Sequence, residues 1–287
     1  MNFTKILCPI DFSSGSQRAM ELAIQLATRA NTELVLLHSA YVPTHALSIE
    51  SYPTYLVEDL VAESQRRLDA AVGEAIAAGA KNTTGVLANG PPWSDIVATL
   101  ESQPFDLCVI GTHGRTGLSR ILLGSVAEKV IRHAPCSVLA IRPDSQAVSF
   151  SRILVPTDFS DSSSDALDLA AQLVRPEGTI TLLHVLELPV MWSGKISDEL
   201  AGELDRRATA ALDAMCSRLE TARVTAVSRI GYPGAQTLAA LDDDHSIDLV
   251  VMGSHGRTGL RRMLLGSVAE KVVRHARCPV LVARRRQ

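Results

Sequence analysis

Aligned without a gap, residues 111–142 and 253–284 agree at 24 of 32 positions. The repeated stretch opens Gly111-Thr-His-Gly114 in the first copy and Gly253-Ser-His-Gly256 in the second. Nine residues then lead to Gly124-Ser125 and to Gly266-Ser267. An internal repeat of this size excludes a single folded body with one centre. It requires one unit, stated twice, that is stable when it stands beside its copy. A chain of 287 residues divides naturally into two such units of about 140 each, and each is long enough to bury a core without staples. We therefore read 1–143 as a first domain, 144–150 as a polar linker and 151–287 as a second domain.

Hydrophobic patterning gives the same element order in both halves. In the first, an apolar run over 5–11 ends at Asp11, and Ser13 or Ser14 starts a helix whose apolar face is Ala19, Leu22, Ala23, Leu26, Ala27 and Ala30. A strand over 33–41 is apolar enough to be covered on both faces, as parallel strands are. A helix over roughly 55–78, a weak strand near 82–88 and a helix opened by Gly90-Pro91-Pro92 follow. The strand 106–111 then enters the glycine loop, the helix 125–133 leaves it, and the strand 136–141 closes the unit. The second half reads as strands over 152–158, 179–185, 224–230, 247–253 and 278–283, with helices between them. Alternating strands and helices in this number predict a doubly wound α/β sheet.

In such a sheet, ligands bind beyond the carboxyl ends of strands, where the winding direction reverses. If the second and third strands lie on one side of the first, that point falls between Asp11 and Gly111, and between Asp158 and Gly253. Glycines let backbone N–H groups approach an anion, and Gly124-Ser125 and Gly266-Ser267 stand at helix starts. A second reading needs no ligand. Ser125-Val-Ala-Glu128 and Ser267-Val-Ala-Glu270 have the form of capping boxes, so each serine could simply cap its helix. Arg115 and Arg120, and Arg257, Arg261 and Arg262, fall inside the loops as phosphate neighbours would. His113 and His255 precede the second loop glycine and are candidate phosphate contacts. His38 and His184, ending the second strand of each half, read as structural histidines.

Several function classes are excluded by what is missing. There is no G-x-x-x-x-G-K-[ST], no G-x-G-x-x-G after the first strand, and no serine nucleophile elbow. Lys and Arg total 28 against 31 Asp and Glu, with 11 against 13 through Pro143 and 17 against 18 beyond it. Neither half thus carries the basic field that nucleic acid requires. The apolar runs are shorter than a membrane span, and the first strand begins too early to leave room for a signal peptide. The five cysteines lack metal-ligand spacing and read as buried thiols. A soluble cytoplasmic protein is expected.

These residues together carry a family likeness. G-x-x-G-x9-G-S after the fourth strand, an Asp ending the first (Val155-Pro-Thr-Asp-Phe-Ser160) and Leu-Leu-His at the end of the second resemble the universal stress protein family, in its ATP-binding branch. The likeness spans nearly the whole chain as two tandem copies. It implies a flavodoxin-like, five-stranded parallel sheet of order 3-2-1-4-5 in each half and an ATP site in each. By this resemblance Asp11 and Asp158, flanked by Pro9, Ile10, Pro156 and Thr157, meet the ribose or adenosine end. The backbone of Ser39 and Val185 reads the adenine edge. Gly111, His113, Gly114, Arg115, Gly124, Ser125 and Val126 surround the ribose and phosphates, as do Gly253, His255, Gly256, Arg257, Gly266, Ser267 and Val268. Magnesium rides on the phosphates rather than in a protein cage.

The resemblance also implies an internal pseudo-dimer through 136–141 and 278–283, a possible homodimer, and a protein partner that the residues do not name. Ile10 and Ser39 depart from the second half's Thr157 and Val185. The function implied is regulatory ATP binding in a stress response. A slow ATPase, a nucleotidyl or phosphoryl transferase, and a nucleotide-independent scaffold are the alternatives.

Overall fold

A computed structural model of the chain describes residues 3–41, 54–112, 123–145, 148–187, 198–219, 223–256 and 265–284. They fall into two compact units, one running to Pro143 and the other beginning at Asp144.

In the first unit the elements are β1 (Lys5–Pro9), α1 (Ser14–Ala30), β2 (Glu33–Ser39), α2 (Thr54–Ala77), β3 (Thr83–Ala88), α3 (Pro92–Ser102), β4 (Leu107–Gly111), α4 (Ser125–His133) and β5 (Ser137–Ile141). All strands run parallel, in the order β3-β2-β1-β4-β5. Ile6 of β1 stands beside Leu34 on one side and Leu107 on the other. The middle strands are buried along almost their whole length, which is why β2 reads as an unbroken apolar run. The outer strand β3 is exposed over Thr84–Val86.

The second unit repeats this with β6 (Arg152–Thr157), α5 (Asp161–Leu173), β7 (Thr179–Leu186), α6 (Asp198–Cys216), β8 (Arg223–Ile230), α7 (Pro233–Asp243), β9 (Leu249–Gly253), α8 (Ser267–His275) and β10 (Val280–Ala283). Its parallel order β10-β9-β6-β7-β8 is the same 3-2-1-4-5 winding. Each unit is thus a flavodoxin-like sheet whose winding reverses between its first and fourth strands.

Local chemistry sets the element ends. Ser13 caps α1 by accepting a hydrogen bond from Ser16 N, and Asn31 closes it in the left-handed region with φ 50° and ψ 47°. Ser160 caps α5 the same way, from Ser163 N. Pro92 and Pro233 open α3 and α7, where a missing N–H costs nothing. α1 buries Ala19, Leu22, Ala23, Leu26 and Ala27, while Ala30 at its end is only half-buried. Phe150, in the segment read from sequence as a polar linker, is 1% exposed. Its carbonyl accepts from Arg175 N, and Ser149 and Ser151 donate to Asp248.

Candidate functional site

The site is assembled from strand ends. β1 stops at Pro9, two residues short of Asp11. Asp11 Oδ1 accepts from Ser13 N at 3.0 Å and from Ser13 Oγ. The turn between them puts Phe12 at φ 62°, a region that bulky side chains rarely enter. Asp158 repeats the arrangement with Ser160 N at 3.1 Å and Ser160 Oγ, across Phe159 at φ 65°. Thus each strand-end aspartate is oriented by the serine that also caps the following helix.

At the end of β2, His38 is 3% exposed and its Nδ1 lies 2.8 Å from the Ile10 carbonyl. A carbonyl only accepts, so Nδ1 carries the hydrogen. His184 makes the same bond to the Thr157 carbonyl at 2.9 Å. Both histidines are the structural ones expected. Ser39 Oγ donates to the Gly90 carbonyl at 2.6 Å, and the Asp95 carboxylate beside it accepts from Gly90 N at 2.9 Å. In the second unit Val185 replaces Ser39, and Gly231 with φ 140° and the neighbouring Gln236 take the places of Gly90 and Asp95.

β4 ends at Gly111, where a Cβ would stand 2.7 Å from the Gly15 backbone and 2.9 Å from Ser16 N. A Cβ on Gly253 would stand 2.9 Å from the Ser162 backbone. These two glycines are therefore required by the close approach of strand to helix start. A Cβ on Gly256, by contrast, would meet Asp158 Oδ2 at 2.8 Å. The loop glycine and the strand-end aspartate do converge.

Gly124 N donates to the Thr112 carbonyl at 2.7 Å, which sets the start of α4 beside the end of β4. Gly266 N closes on the Ser254 carbonyl at 2.9 Å. His113, Gly114, Arg115, Arg120, Arg257, Arg261 and Arg262 lie outside the described residues. His255 does not, and its Nδ1 is 2.8 Å from Ser254 Oγ.

The capping-box expectation is corrected here. The N-cap of α4 is Gly124 (φ −61°, ψ 140°) and that of α8 is Gly266 (φ −63°, ψ 148°), neither with a side-chain cap. Ser125 and Ser267 are the first helical residues, and both are exposed. Glu128 and Glu270 pair one turn on with Arg132 at 3.4 Å and Arg274 at 3.2 Å. Serine sits one place too late to cap, because the glycine before it holds the extended N-cap position and closes on the Thr112 or Ser254 carbonyl. The first N–H groups of each helix have no partner within the helix, and its dipole favours an anion there.

In the first unit these parts enclose a cleft of about 340 Å³. Pro9, Ile10 and Asp11 line it from β1, His38 and Ser39 from β2, Gly111 and Thr112 from β4, and Gly124, Ser125 and Val126 from the helix start. Ser16, Tyr41, Pro92 and Ile96 also line it and were not anticipated. Ile96 carried a usable signal, since with Val97 and Leu100 it makes the buried apolar face of the helix that Gly90-Pro91-Pro92 opens. In the second unit, Thr157 Oγ1 is turned inward, 3.0 Å from Ser163 Oγ and accepting from Phe159 N at 3.0 Å. The exchange of Ile10 for Thr157 therefore alters internal bonding.

Among the described residues, no group of three His, Cys, Asp or Glu could hold a metal ion, and no helix is long and apolar enough to cross a membrane. Burial pushes the Cys278 thiol up to about 12 and that of Cys8 further still.

The family model described as the universal stress protein family matches residues 2–142 and again 149–284. Universal stress protein Rv2005c of Mycobacterium tuberculosis is 33% identical over 193 residues, a match covering 64% of this chain and 63% of that protein. The chain thus spans less than two thirds of that relative's length. Universal stress protein MJ0531 of Methanocaldococcus jannaschii is 38% identical over 141 residues, 49% of this chain and 82% of that protein. Among solved structures, a universal stress protein from Archaeoglobus fulgidus superposes with a TM-score of 0.74 at 23% identity, covering 99% of this chain and 100% of its own. That likeness is one of fold.

Proposed function

The chain belongs to the universal stress protein family, and we propose that it is a regulatory ATP-binding member with one nucleotide site in each unit. The observation that carries this reading is the first-unit cleft, where an oriented aspartate, a β2 terminus and an uncapped helix start face one space of about 340 Å³. That volume falls in the range of small-molecule sites, roughly 300–1,000 Å³. The chemistry is graded along the cleft. Ile96 and Pro92 suit a base, Asp11 suits ribose hydroxyls, and the N–H groups opening α4 suit phosphate.

In this reading Ser39 and Val185 meet the base edge through their backbone. The loop residues His113, Gly114, Arg115, His255, Gly256 and Arg257 flank the phosphates with Gly111, Gly253, Gly266, Ser267 and Val268, and magnesium is held mainly through the phosphates. Binding is itself the signal. A helix end that binds phosphate equally in ground and transition states does not raise kcat, so any hydrolysis falls well below the roughly 1–10³ s⁻¹ of ordinary enzymes. The domain limits 1–143 and 151–287, a cytoplasmic location, self-association and an unnamed protein partner belong to the same proposal.

Titration calorimetry of the full chain with ATP and magnesium tests it, with a stoichiometry near two expected. No heat of binding, together with no nucleotide released from the heat-denatured protein, would leave the scaffold alternative in its place.

A further inference from the structure

Two phenylalanines, Phe12 and Phe159, stand in the left-handed region with φ 62° and 65° at equivalent positions of the two units. Among the described non-glycine residues only Asn31 and Phe150 share that region. Asparagine tolerates it, whereas a bulky side chain there is held by its surroundings. What holds these two rings is visible. Phe12 packs on His38 with centroids 4.5 Å apart, and Phe159 packs on His184 at 4.3 Å. Each histidine in turn donates to the carbonyl of the residue just before the aspartate, Ile10 or Thr157. In the first unit the Arg67 guanidinium also lies 4.0 Å from the Phe12 centroid, on α2.

The bonds form a closed circuit around one carboxylate. Histidine fixes the backbone on the amino side of the aspartate. The ring it supports fixes the backbone on the carboxyl side. The left-handed turn at that ring is what brings Ser13 N back to Asp11 Oδ1, and Ser160 N back to Asp158 Oδ1. A free aspartate on an exposed turn would lose rotamer freedom on meeting a ligand, and that loss lowers affinity. Here the rotamer is set in advance.

We infer that Phe12 with His38, and Phe159 with His184, are positioning residues that hold Asp11 and Asp158 preset for the ligand's sugar hydroxyls. The inference rests on the nucleotide-binding reading above. It assigns to the strand-2 histidines and the residue after each aspartate a role in affinity as well as in packing.

Two double variants of the full chain separate these roles. Phe12→Leu with Phe159→Leu keeps apolar bulk but removes the flat ring and disfavours the left-handed turn. Phe12→Asn with Phe159→Asn also removes the ring but accepts that turn readily. Both should melt at a lower temperature than the unaltered protein. The leucine pair should bind ATP with magnesium about tenfold more weakly or worse. The asparagine pair should stay within about threefold, on the same preorganisation argument.

Hydrogen exchange of the Ser13 and Ser160 amides, read by NMR without nucleotide, reports the turn itself. Protection is expected in the unaltered protein and the asparagine pair, and its loss in the leucine pair. Unchanged ATP affinity in the leucine pair, or equal weakening in both pairs, overturns the inference. Should the unaltered protein take up no ATP, the binding reading falls and the ligand half of this inference with it. The amide exchange still decides whether the clamp exists.

Discussion

Asp11 and Asp158 each use one oxygen to accept from the serine two residues on, and that serine then caps the next helix. One side chain therefore serves both the site and the fold, and its removal acts on both. Ser125 and Ser267 are different, because glycine holds the cap position ahead of them. Replacing both by alanine should leave the melting temperature almost unchanged, since no cap is lost. A hydroxyl bonded to a charged phosphate is worth roughly 1.5–3 kcal/mol, so ATP affinity should fall about tenfold to hundredfold. A lower melting temperature with full affinity would remove these serines from the site. Reactivity of the thiols is also set residue by residue. Burial raises the pKa of Cys8, Cys108 and Cys278, and raises that of the half-buried Cys216 as well. A raised thiol pKa means less thiolate below it. At pH 8 a thiol reagent should label Cys216 ahead of these three, which should react only on unfolding.

Helix starts are where each element meets the site, and the two kinds behave differently. α1 and α5 have serine caps whose loss should cost about 0.5–2 kcal/mol each. Ser13→Ala and Ser160→Ala should therefore lower the melting temperature, and also loosen the neighbouring aspartate. α4 and α8 start with no side-chain cap, leaving their first N–H groups available to an anion. Close packing of strand end on helix start is a further constraint. Gly111→Ala forces a methyl against the Gly15 backbone, and rigid backbone cannot turn aside. Overpacking of this kind typically costs about 1–3 kcal/mol, readable by denaturant unfolding. A neutral result would mean that α1 can retreat from β4.

At the scale of the whole molecule, one sheet design is present twice, but the residues at the strand ends are not identical in the two units. The first unit ends β2 with Ser39 tied to Gly90 and beside Asp95, whereas the second has Val185, Gly231 and Gln236 there. Asp95→Ala should therefore change only one of two ATP-binding events. A two-site titration that shifts as a whole would show that this end of the cleft does not distinguish the units.

What the sequence by itself determined is the duplication, the strand–helix alternation and the residues at strand ends. All three are local or periodic, so they survive in a linear string. The helices 125–133 and 267–275 could be read residue for residue because an apolar face and a glycine-serine start bound them. The left-handed turn at Phe12 and Phe159 could not be read, since nothing in Asp-Phe-Ser favours it. Burial of His38 and His184 beneath the rings imposes it. Tertiary structure alone also decided which glycines serve packing. Gly111 and Gly256 look alike in the string, yet one abuts a helix backbone and the other a carboxylate. The cap positions of α4 and α8 were decided the same way. Gly124 and Gly266 close on the Thr112 and Ser254 carbonyls and hold the cap positions, which leaves each serine as the first, exposed residue of its helix. Contacts between residues far apart in the chain carry no signature in spacing, and those contacts set the geometry of the site.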